Sequence, residues 1–137
     1  MHTSPRPRVT AINAPFWEGC NRGVLMLQRC AAEDCARAVF YPRVCCPFCG
    51  HGELHWEQVS GVGTVRSVTR VHRPGHDAFL ADAPYLFAAV TLAEGPTLYG
   101  RLDAGELTLD AIIGRPVRAV FRQVLPDQRL VQFESVP

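Results

Sequence analysis

The sequence carries almost no excess of charge of either sign. Its 137 residues include 14 Lys and Arg against 13 Asp and Glu, which gives a formal net charge of +1. Binding to nucleic acid depends largely on neutralising phosphates, and it usually shows as a basic excess. The near-zero charge therefore disfavours nucleic acid as a partner, although it does not exclude that class.

Long apolar runs are missing as well. The longest uncharged apolar stretch lies around Tyr85–Ala93, far short of the roughly 20 residues that a membrane-spanning helix needs. Residues Met1–Arg8 contain charges and two prolines, and no apolar run follows them, so we expect no secretory signal. We therefore expect a cytoplasmic protein that does not bind membranes.

Signatures of catalysis are also absent. No serine lies in a G-x-S-x-G motif. Gly61-Val62-Gly63 begins like a dinucleotide-binding motif, but a predicted strand follows where a helix is required, which favours a β-bulge at the barrel entrance. His72 and His76 lie close to Asp77 without a nucleophile signature, so a polar loop is the simpler interpretation. We predict no catalytic residues.

The chain is rich in turn-forming residues, with 11 Gly and 11 Pro. This content favours short strands over long helices. Pro15 near the start and Gly23 past the end predict one short helix over Ala14–Arg22, and Glu106–Ile113 could form one or two helical turns. Tyr85–Ala93 has the pattern of a strand that is buried on both faces. The other predicted strands are Val24–Gln28, Thr64–His72, Thr97–Leu102, Val117–Val124 and Leu130–Glu134.

These elements predict a mainly β protein. Five or so strands with one short helical insert suggest a small closed barrel of the OB-fold type. We expect an N-terminal arm and helix over residues 1–23, a zinc ribbon over 24–58 and a five-stranded OB-fold barrel over 59–137.

The cysteines give the strongest chemical signal. Cys30 and Cys35 form one pair with a four-residue gap, and Cys46 and Cys49 form a second pair with a two-residue gap. Two such turns can present four thiolates to one structural zinc ion, so we predict a site formed by these four residues. Disulfides are the lesser alternative because cytoplasmic thiols stay reduced. A thioredoxin-like redox pair would need a helix after the second motif, where Gly50–Gly52 stand instead.

The remaining potential ligands fit the zinc site less well. Cys45 could substitute for Cys46, but Cys46 has the better spacing. Cys20 lies in the predicted helix, where a buried small side chain is the simpler interpretation. His51 and His55 lie near the second pair, but four thiolates already suffice.

One predicted strand carries a row of cations. Alternation places Arg66, Val68, Arg70 and His72 on one face of Thr64–His72. Arg118 and Arg122 share a face of a later strand by the same rule. These rows are either solvated outer faces or a cationic surface for phosphates, of a nucleic acid or of coenzyme A.

A series of short motifs runs in order through most of the chain. The motifs are Pro15-Phe16-Trp17-Glu18, Gly23–Cys30, Cys35, Tyr41-Pro42-Arg43, Cys46-Pro47-Phe48-Cys49-Gly50, Gly61–Val65, Pro84-Tyr85, Glu94-Gly95 and Gly114–Val117. In the order of these motifs the sequence resembles the DUF35 family, whose members pair a rubredoxin-like zinc ribbon with an OB-fold. In that family the first cysteine pair usually has a two-residue gap followed by Gly, whereas this chain has a four-residue gap and Ala36.

The resemblance implies a non-catalytic accessory subunit with a structural zinc. Such proteins associate with a thiolase-like or enoyl-CoA hydratase-like enzyme in lipid, steroid or polyketide metabolism and help accommodate its acyl-CoA. On this view Phe16 and Trp17 anchor the N-terminal helix to the core or to the partner. The CoA phosphates or the partner surface would meet Arg66, Arg70, His72 and Arg73.

Two other classes of function remain open for this sequence. Zinc ribbons and OB-folds both occur in proteins that bind single-stranded nucleic acid by stacking bases on aromatic side chains along a cationic groove. The cationic strand here lacks interleaved aromatics, which weakens that alternative. The other class is a stand-alone hydrolase or thioesterase.

Overall fold

Strands dominate the structure, a computed structural model that describes residues 4–137. In residues 4–137 no helix is both long and apolar enough to cross a membrane. The elements in chain order are α1 (Ala14–Arg22), β1 (Leu25–Cys30), β2 (Ala38–Val39), β3 (Leu54–Val59), β4 (Val62–Val71), a 3-10 helix (Asp77–Asp82), β5 (Tyr85–Leu92), β6 (Thr97–Asp103), α2 (Leu109–Ile112), β7 (Pro116–Leu125) and β8 (Gln128–Ser135).

Helix α1 has the predicted bounds. Proline stands in its first turn, and Gly23 ends it in the left-handed conformation with φ of 76°. The Gly23 N–H donates to the Cys20 carbonyl at 3.1 Å, which satisfies a carbonyl at the helix end. The buried side of α1, formed by Phe16, Gly19 and Cys20, packs against β1 and β8.

A three-stranded antiparallel sheet in the order β2-β1-β3 follows the helix. Strand β1 runs two residues further than predicted and ends at Cys30, which pairs with Leu54 of β3. Cys30 therefore sits at the end of the central strand of this sheet, a rigid position for a metal ligand.

The remaining strands form the predicted five-stranded barrel. Its strand order is β4-β5-β6-β8-β7, and β7 pairs with β4 to close it. The contact between β6 and β8 is short and parallel, with paired residues only at Leu102–Phe133 and Asp103–Glu134. Beyond these pairs the two strands diverge, and α1 packs along β8 there. The order of strands, with α2 before β7, is that of an OB-fold.

One apolar core joins the helix, the first sheet and the barrel. Phe16 of α1, Leu25 and Leu27 of β1, and Val59 of β3 belong to the same buried cluster as the barrel residues. A second, smaller cluster consists of Cys30, Val39 and Cys46 with Ala32, Cys35 and Leu54 packed against it. The predicted domain boundaries after residues 23 and 58 therefore separate segments that share one core. The division into domains remains a prediction.

The cationic row on β4 is corrected by the structure. A β-bulge lies between Val65 and Ser67, so Arg66 is the extra residue and alternation breaks there. Arg66 is exposed whereas Val68 packs against the core. The prediction that Arg66, Val68, Arg70 and His72 share one face is therefore wrong for Arg66. The bulge also lies three residues beyond the predicted Gly61–Gly63 position.

Strand β5 is not buried on both faces throughout. Ala88, Ala89 and Val90 are buried, but Phe87 is 39% exposed. The apolar run therefore consists of a buried second half and a first half whose rings reach the outer surface of the barrel.

Candidate functional site

The four predicted zinc ligands converge at one point. Cys30 ends β1, Cys35 follows in a turn, and Cys46 and Cys49 come from a second turn. All four Sγ atoms lie within 4.8 Å of one another. Cys30 and Cys49 have their Sγ atoms 3.6 Å apart, and those of Cys35 and Cys46 are separated by 3.8 Å. Zinc bound to sulfur at about 2.3 Å in a tetrahedron requires sulfur separations of about 3.8 Å, so the thiols fit that ion.

The widened first turn has a backbone shape that usually requires glycine. Ala36 has φ of 51°, a left-handed conformation that favours Gly. Its N–H donates to the Ala32 carbonyl at 2.8 Å and fixes the turn around Cys35. Gly50 occupies the corresponding place after Cys49, with φ of 80°. Both cysteine pairs of this chain are thus followed by a left-handed residue, although the first pair has the longer gap.

The electrostatics of the cluster favour a bound cation. Burial opposes ionisation of the Cys46 thiol, but the backbone N–H groups of Cys49 and Phe48 and two neighbouring thiols lower its pKa to about 7. Burial raises the pKa of Cys30 to about 12, and the three neighbouring thiols add to the rise. The neighbouring thiols thus favour one thiolate and oppose the next, and a divalent cation removes that conflict because it binds the thiolates. The cluster is a zinc ribbon site, and zinc is its structural cofactor.

The other candidate ligands lie outside the cluster. Cys45 is exposed, and Cys20 is fully buried. Burial raises the pKa of the Cys20 thiol to about 11. His51 Nδ1 accepts a hydrogen bond from the Glu53 N–H at 3.1 Å, which gives it a local structural role. Among residues 4–137 the cysteine cluster is the group whose ligand atoms converge.

The predicted CoA or partner residues fall into two places. Arg66, Arg70, His72 and Arg73 are exposed on β4 and the loop after it, and none of the three arginines has an ion-pair partner within residues 4–137. The other two predicted contact residues, Phe16 and Trp17, lie on α1.

Phe16 is 3% exposed and belongs to the core. Trp17 is half-buried, with its ring 4.9 Å from that of Phe16 in an edge-on arrangement. Its Nε1 is buried and has no hydrogen-bond partner in residues 4–137. Phe16 thus anchors the helix to the core, and Trp17 is the member of the pair closer to the surface.

The structure also shows a surface that the sequence reasoning missed, here named the aromatic face. It lines a cavity of about 420 Å³ on the outside of the barrel. The sequence signal for this surface is the alternation of aromatic residues at Tyr85 and Phe87 in β5, together with Tyr99 in β6. It was overlooked because the apolar run Tyr85–Ala93 has the pattern of a strand that is buried on both faces. The residues of the aromatic face are Phe79, Tyr85, Phe87, Tyr99, Arg101 and Arg122.

Comparison with family models gives two consecutive matches. Residues 17–55 match the ChsH2 rubredoxin-like zinc ribbon domain, and residues 56–122 match the ChsH2 C-terminal OB-fold domain. The order of these matches agrees with the ribbon and barrel of the structure, although the second match begins within β3 and ends within β7, before β8.

Curated relatives and a solved structure extend this result. A probable enoyl-CoA hydratase alpha subunit of Thermomonospora curvata is 36% identical over 135 residues, 97% of this chain but 40% of that protein. This chain therefore spans about 40% of the length of that relative. A DUF35 domain-containing scaffold protein of Methanocaldococcus jannaschii is 34% identical over 96 residues, 69% of this chain and 67% of that protein.

The solved structure is a chain described as Ltp2-ChsH2(DUF35) aldolase. It superimposes with a TM-score of 0.79 at 34% identity and covers 95% of this chain and 98% of the other. Fold, cysteine geometry and relatives all agree, and the chain therefore belongs to the DUF35 family of proteins that join a rubredoxin-like zinc ribbon to an OB-fold.

Proposed function

We propose that the protein is a non-catalytic accessory subunit of an acyl-CoA-processing enzyme complex. The observation that carries the proposal is the match over nearly the full length of both chains to the Ltp2-ChsH2(DUF35) aldolase chain. The names of the relatives, a hydratase alpha subunit and a scaffold protein, support the same class. The zinc ribbon then serves as a rigid structural part and takes no part in the reaction.

The proposed partner is a thiolase-like or enoyl-CoA hydratase-like enzyme of lipid, steroid or polyketide metabolism in the cytoplasm. The chain would hold this enzyme in its assembled form and help accommodate its acyl-CoA substrate. The names of two relatives, a hydratase alpha subunit and an Ltp2-ChsH2(DUF35) aldolase, support a hydratase- or aldolase-type partner, whereas the thiolase-like alternative rests on the family resemblance alone.

The contact residues proposed for this role are the exposed cations of β4 and its loop. Arg66, Arg70 and Arg73 have no ion-pair partner within residues 4–137, so their guanidinium groups are available for carboxylates or phosphates. His72 lies between Arg70 and Arg73 and is also exposed. Trp17 on α1 is proposed as a second contact.

Co-expression with single candidate enzymes tests the proposal. The tagged chain is produced with a thiolase-like or a hydratase-like subunit from the same genome, and the mass of the purified species is measured by light scattering. We expect a complex of fixed stoichiometry that Arg70→Glu weakens. Arg22→Glu is the matched control because Arg22 is an exposed cation at the end of α1. Elution of the chain by itself beside every candidate would contradict the proposal.

A further inference from the structure

The three-stranded sheet of the ribbon has one long side without a neighbour. In the order β2-β1-β3 the outer strands are β2, which has two residues, and β3, which has six. Strand β1 lies along one side of β3, and no strand within residues 4–137 pairs with the other side. This other side of Leu54–Val59 is here named the β3 edge. Six residues are a usual length for a strand that pairs with another.

The backbone hydrogen bonds show which groups point out of the β3 edge. The Cys30 N–H donates to the Arg37 carbonyl on the β2 side at 2.9 Å, and the Ala31 N–H donates to the Glu53 carbonyl on the β3 side at 3.1 Å. Because adjacent residues of a central strand bond to opposite neighbours, the odd-numbered residues of β3 bond to β1. The even-numbered residues of β3 therefore turn their N–H and C=O groups outward. These residues are Leu54, Trp56 and Gln58.

The β3 edge lacks the features that usually keep an edge strand from pairing. Such features are a proline, a bulge, a lysine or an inward-pointing charge. Strand β3 contains neither proline nor lysine, and its register with β1 is regular over all six residues. The charge of Glu57 is offset because Arg29 Nε donates to its Oε1 at 2.6 Å. The β3 edge is therefore able to accept an additional strand.

We propose that the β3 edge pairs with the β3 edge of a second copy of this chain. The two strands run antiparallel about a two-fold axis, and the two ribbon sheets become one continuous sheet. Trp56 of one copy lies opposite Trp56 of the other, and Leu54 of each copy lies opposite Gln58 of the other. Each of these pairs exchanges two backbone hydrogen bonds.

The side chains of β3 favour this register. It places His55 of each copy opposite Glu57 of the other, and a ring N–H of His55 donates to the carboxylate. Arg29 binds Oε1 of Glu57, which leaves Oε2 for this contact. The two nearest registers that keep the outward groups opposite each other place Glu57 against Glu57 or against Glu53 of the other copy. Like charges in opposite positions are destabilising, so the edge is complementary to itself in one register.

The predicted dimer is a weak one. A single pair of six-residue strands makes a small contact, and interfaces below about 1,000 Å² of total buried area are usually transient. We therefore expect a dimer that dissociates on dilution. Its formation involves this chain by itself, so its presence or absence is independent of the enzyme complex proposed above.

Sedimentation equilibrium of the full zinc-loaded chain over a wide range of concentrations tests the proposal. We expect the weight-average mass to rise with concentration from 15.1 kDa towards twice that value. A mass that stays at 15.1 kDa at every concentration would overturn the proposal.

Two substitutions at Gln58 show whether the backbone of the β3 edge is responsible. Gln58→Pro removes an outward N–H and leaves the bonds between β3 and β1 in place. It should raise the dissociation constant of the dimer about tenfold or more, since a symmetric dimer loses the hydrogen bond twice. Gln58→Ala keeps the N–H and is the matched control, which should dimerise like the natural chain. The zinc content of each variant verifies that its ribbon is folded, and equal dimerisation of the two variants would overturn the proposal.

Hydrogen exchange measured by NMR gives a second test that needs no substitution. The amides of His55 and Glu57 bond to β1 and should be protected at every concentration. The amides of Leu54, Trp56 and Gln58 should gain protection as the dimer forms. Protection of these three amides only after addition of an enzyme subunit would overturn the proposal, because the occupant of the edge would then be a strand of the enzyme.

The register has its own test in a mixture of differently isotope-labelled copies. His55 and Glu57 of different copies form a pair without mutual hydrogen bonds, in which the backbones approach most closely. We expect a nuclear Overhauser contact between the Hα atoms of these two residues. A dimer without this contact would contradict the proposed pairing.

Discussion

At the scale of single residues, the environments of the six cysteines divide them into three kinds. Cys30, Cys35, Cys46 and Cys49 share one site, Cys20 is buried in the main core, and Cys45 is exposed. Spacing along the sequence is sufficient to predict the four ligands, because a metal site built from two turns is a local feature of the chain. The adjacent Cys45 and Cys46 then differ only in direction, which provides a matched pair for experiment.

Cys46→Ser is predicted to remove zinc. The freshly purified natural chain should contain about one zinc ion per chain by metal analysis, and the variant should lose both the metal and the order of the ribbon, since structural zinc contributes directly to folding. Cys45→Ser should retain the metal because its thiol points away from the cluster. Absence of zinc from the natural chain would refute the assignment, as would equal loss in both variants.

Cys20 is predicted to make stability fall at alkaline pH. Burial raises the pKa of its thiol from 9.0 to about 11 in the folded chain. As the pH rises, the unfolded chain therefore loses this proton before the folded chain does. The contribution of the protonated Cys20 thiol to the unfolding free energy is thus complete below pH 9 and is lost as the pH rises towards 11. Between these limits the natural chain should lose on the order of 2 kcal/mol more unfolding free energy than Cys20→Ala. Parallel stability curves for the two proteins, measured by denaturant unfolding, would count against this explanation.

At the scale of elements, the success of sequence reasoning depended on local signals. Helix α1 was predicted to the residue because Pro15 and Gly23 mark its ends through backbone geometry alone. The two-residue strand β2 and the 3-10 helix were not predicted, since both are too short to show a period. The bulge at Arg66 and the outward ring of Phe87 were missed for another reason: they depend on which neighbouring strand faces each residue.

Phe16→Ala is predicted to detach α1 from the core. Phe16 is 3% exposed and contacts Trp17 and Phe40, so its truncation leaves a cavity and should cost about 3–5 kcal/mol of unfolding free energy. Ile12→Ala is the control, because Ile12 precedes the helix and is 43% exposed. The shift of the denaturant midpoint measures the loss of stability in each of the two variants. A loss in Phe16→Ala no larger than that in the control would show that the helix is not anchored in this way.

At the scale of the whole molecule, two apolar clusters divide the chain differently from its sequence segments. The main cluster joins α1, β1 and β3 to the barrel, and the second surrounds the cysteine site. Sequence patterns predict that each strand buries one side, but they do not show that β1 of the ribbon shares a core with the barrel, because that contact joins distant parts of the chain. Removing the metal should therefore affect one cluster and spare the other.

Chelation of zinc is predicted to loosen the ribbon turns and leave the barrel folded. The amides of Cys35, Cys46 and Gly50 take part in hydrogen bonds of these turns, and they should lose protection from hydrogen exchange when the metal is removed. Amides of Val90 and Phe133, buried in the main cluster, should keep theirs. Simultaneous loss of protection in both regions would show that the two clusters unfold as one unit.

The central claim is that this DUF35 protein assists an acyl-CoA enzyme and performs no chemistry of its own. Its most direct test is the turnover of acyl-CoA by the purified chain, by a co-purifying thiolase-like or hydratase-like subunit, and by the two together. The account predicts no turnover by the chain alone and a higher rate for the complex than for the enzyme subunit alone. Turnover of acyl-CoA by the chain in the absence of any partner would contradict it.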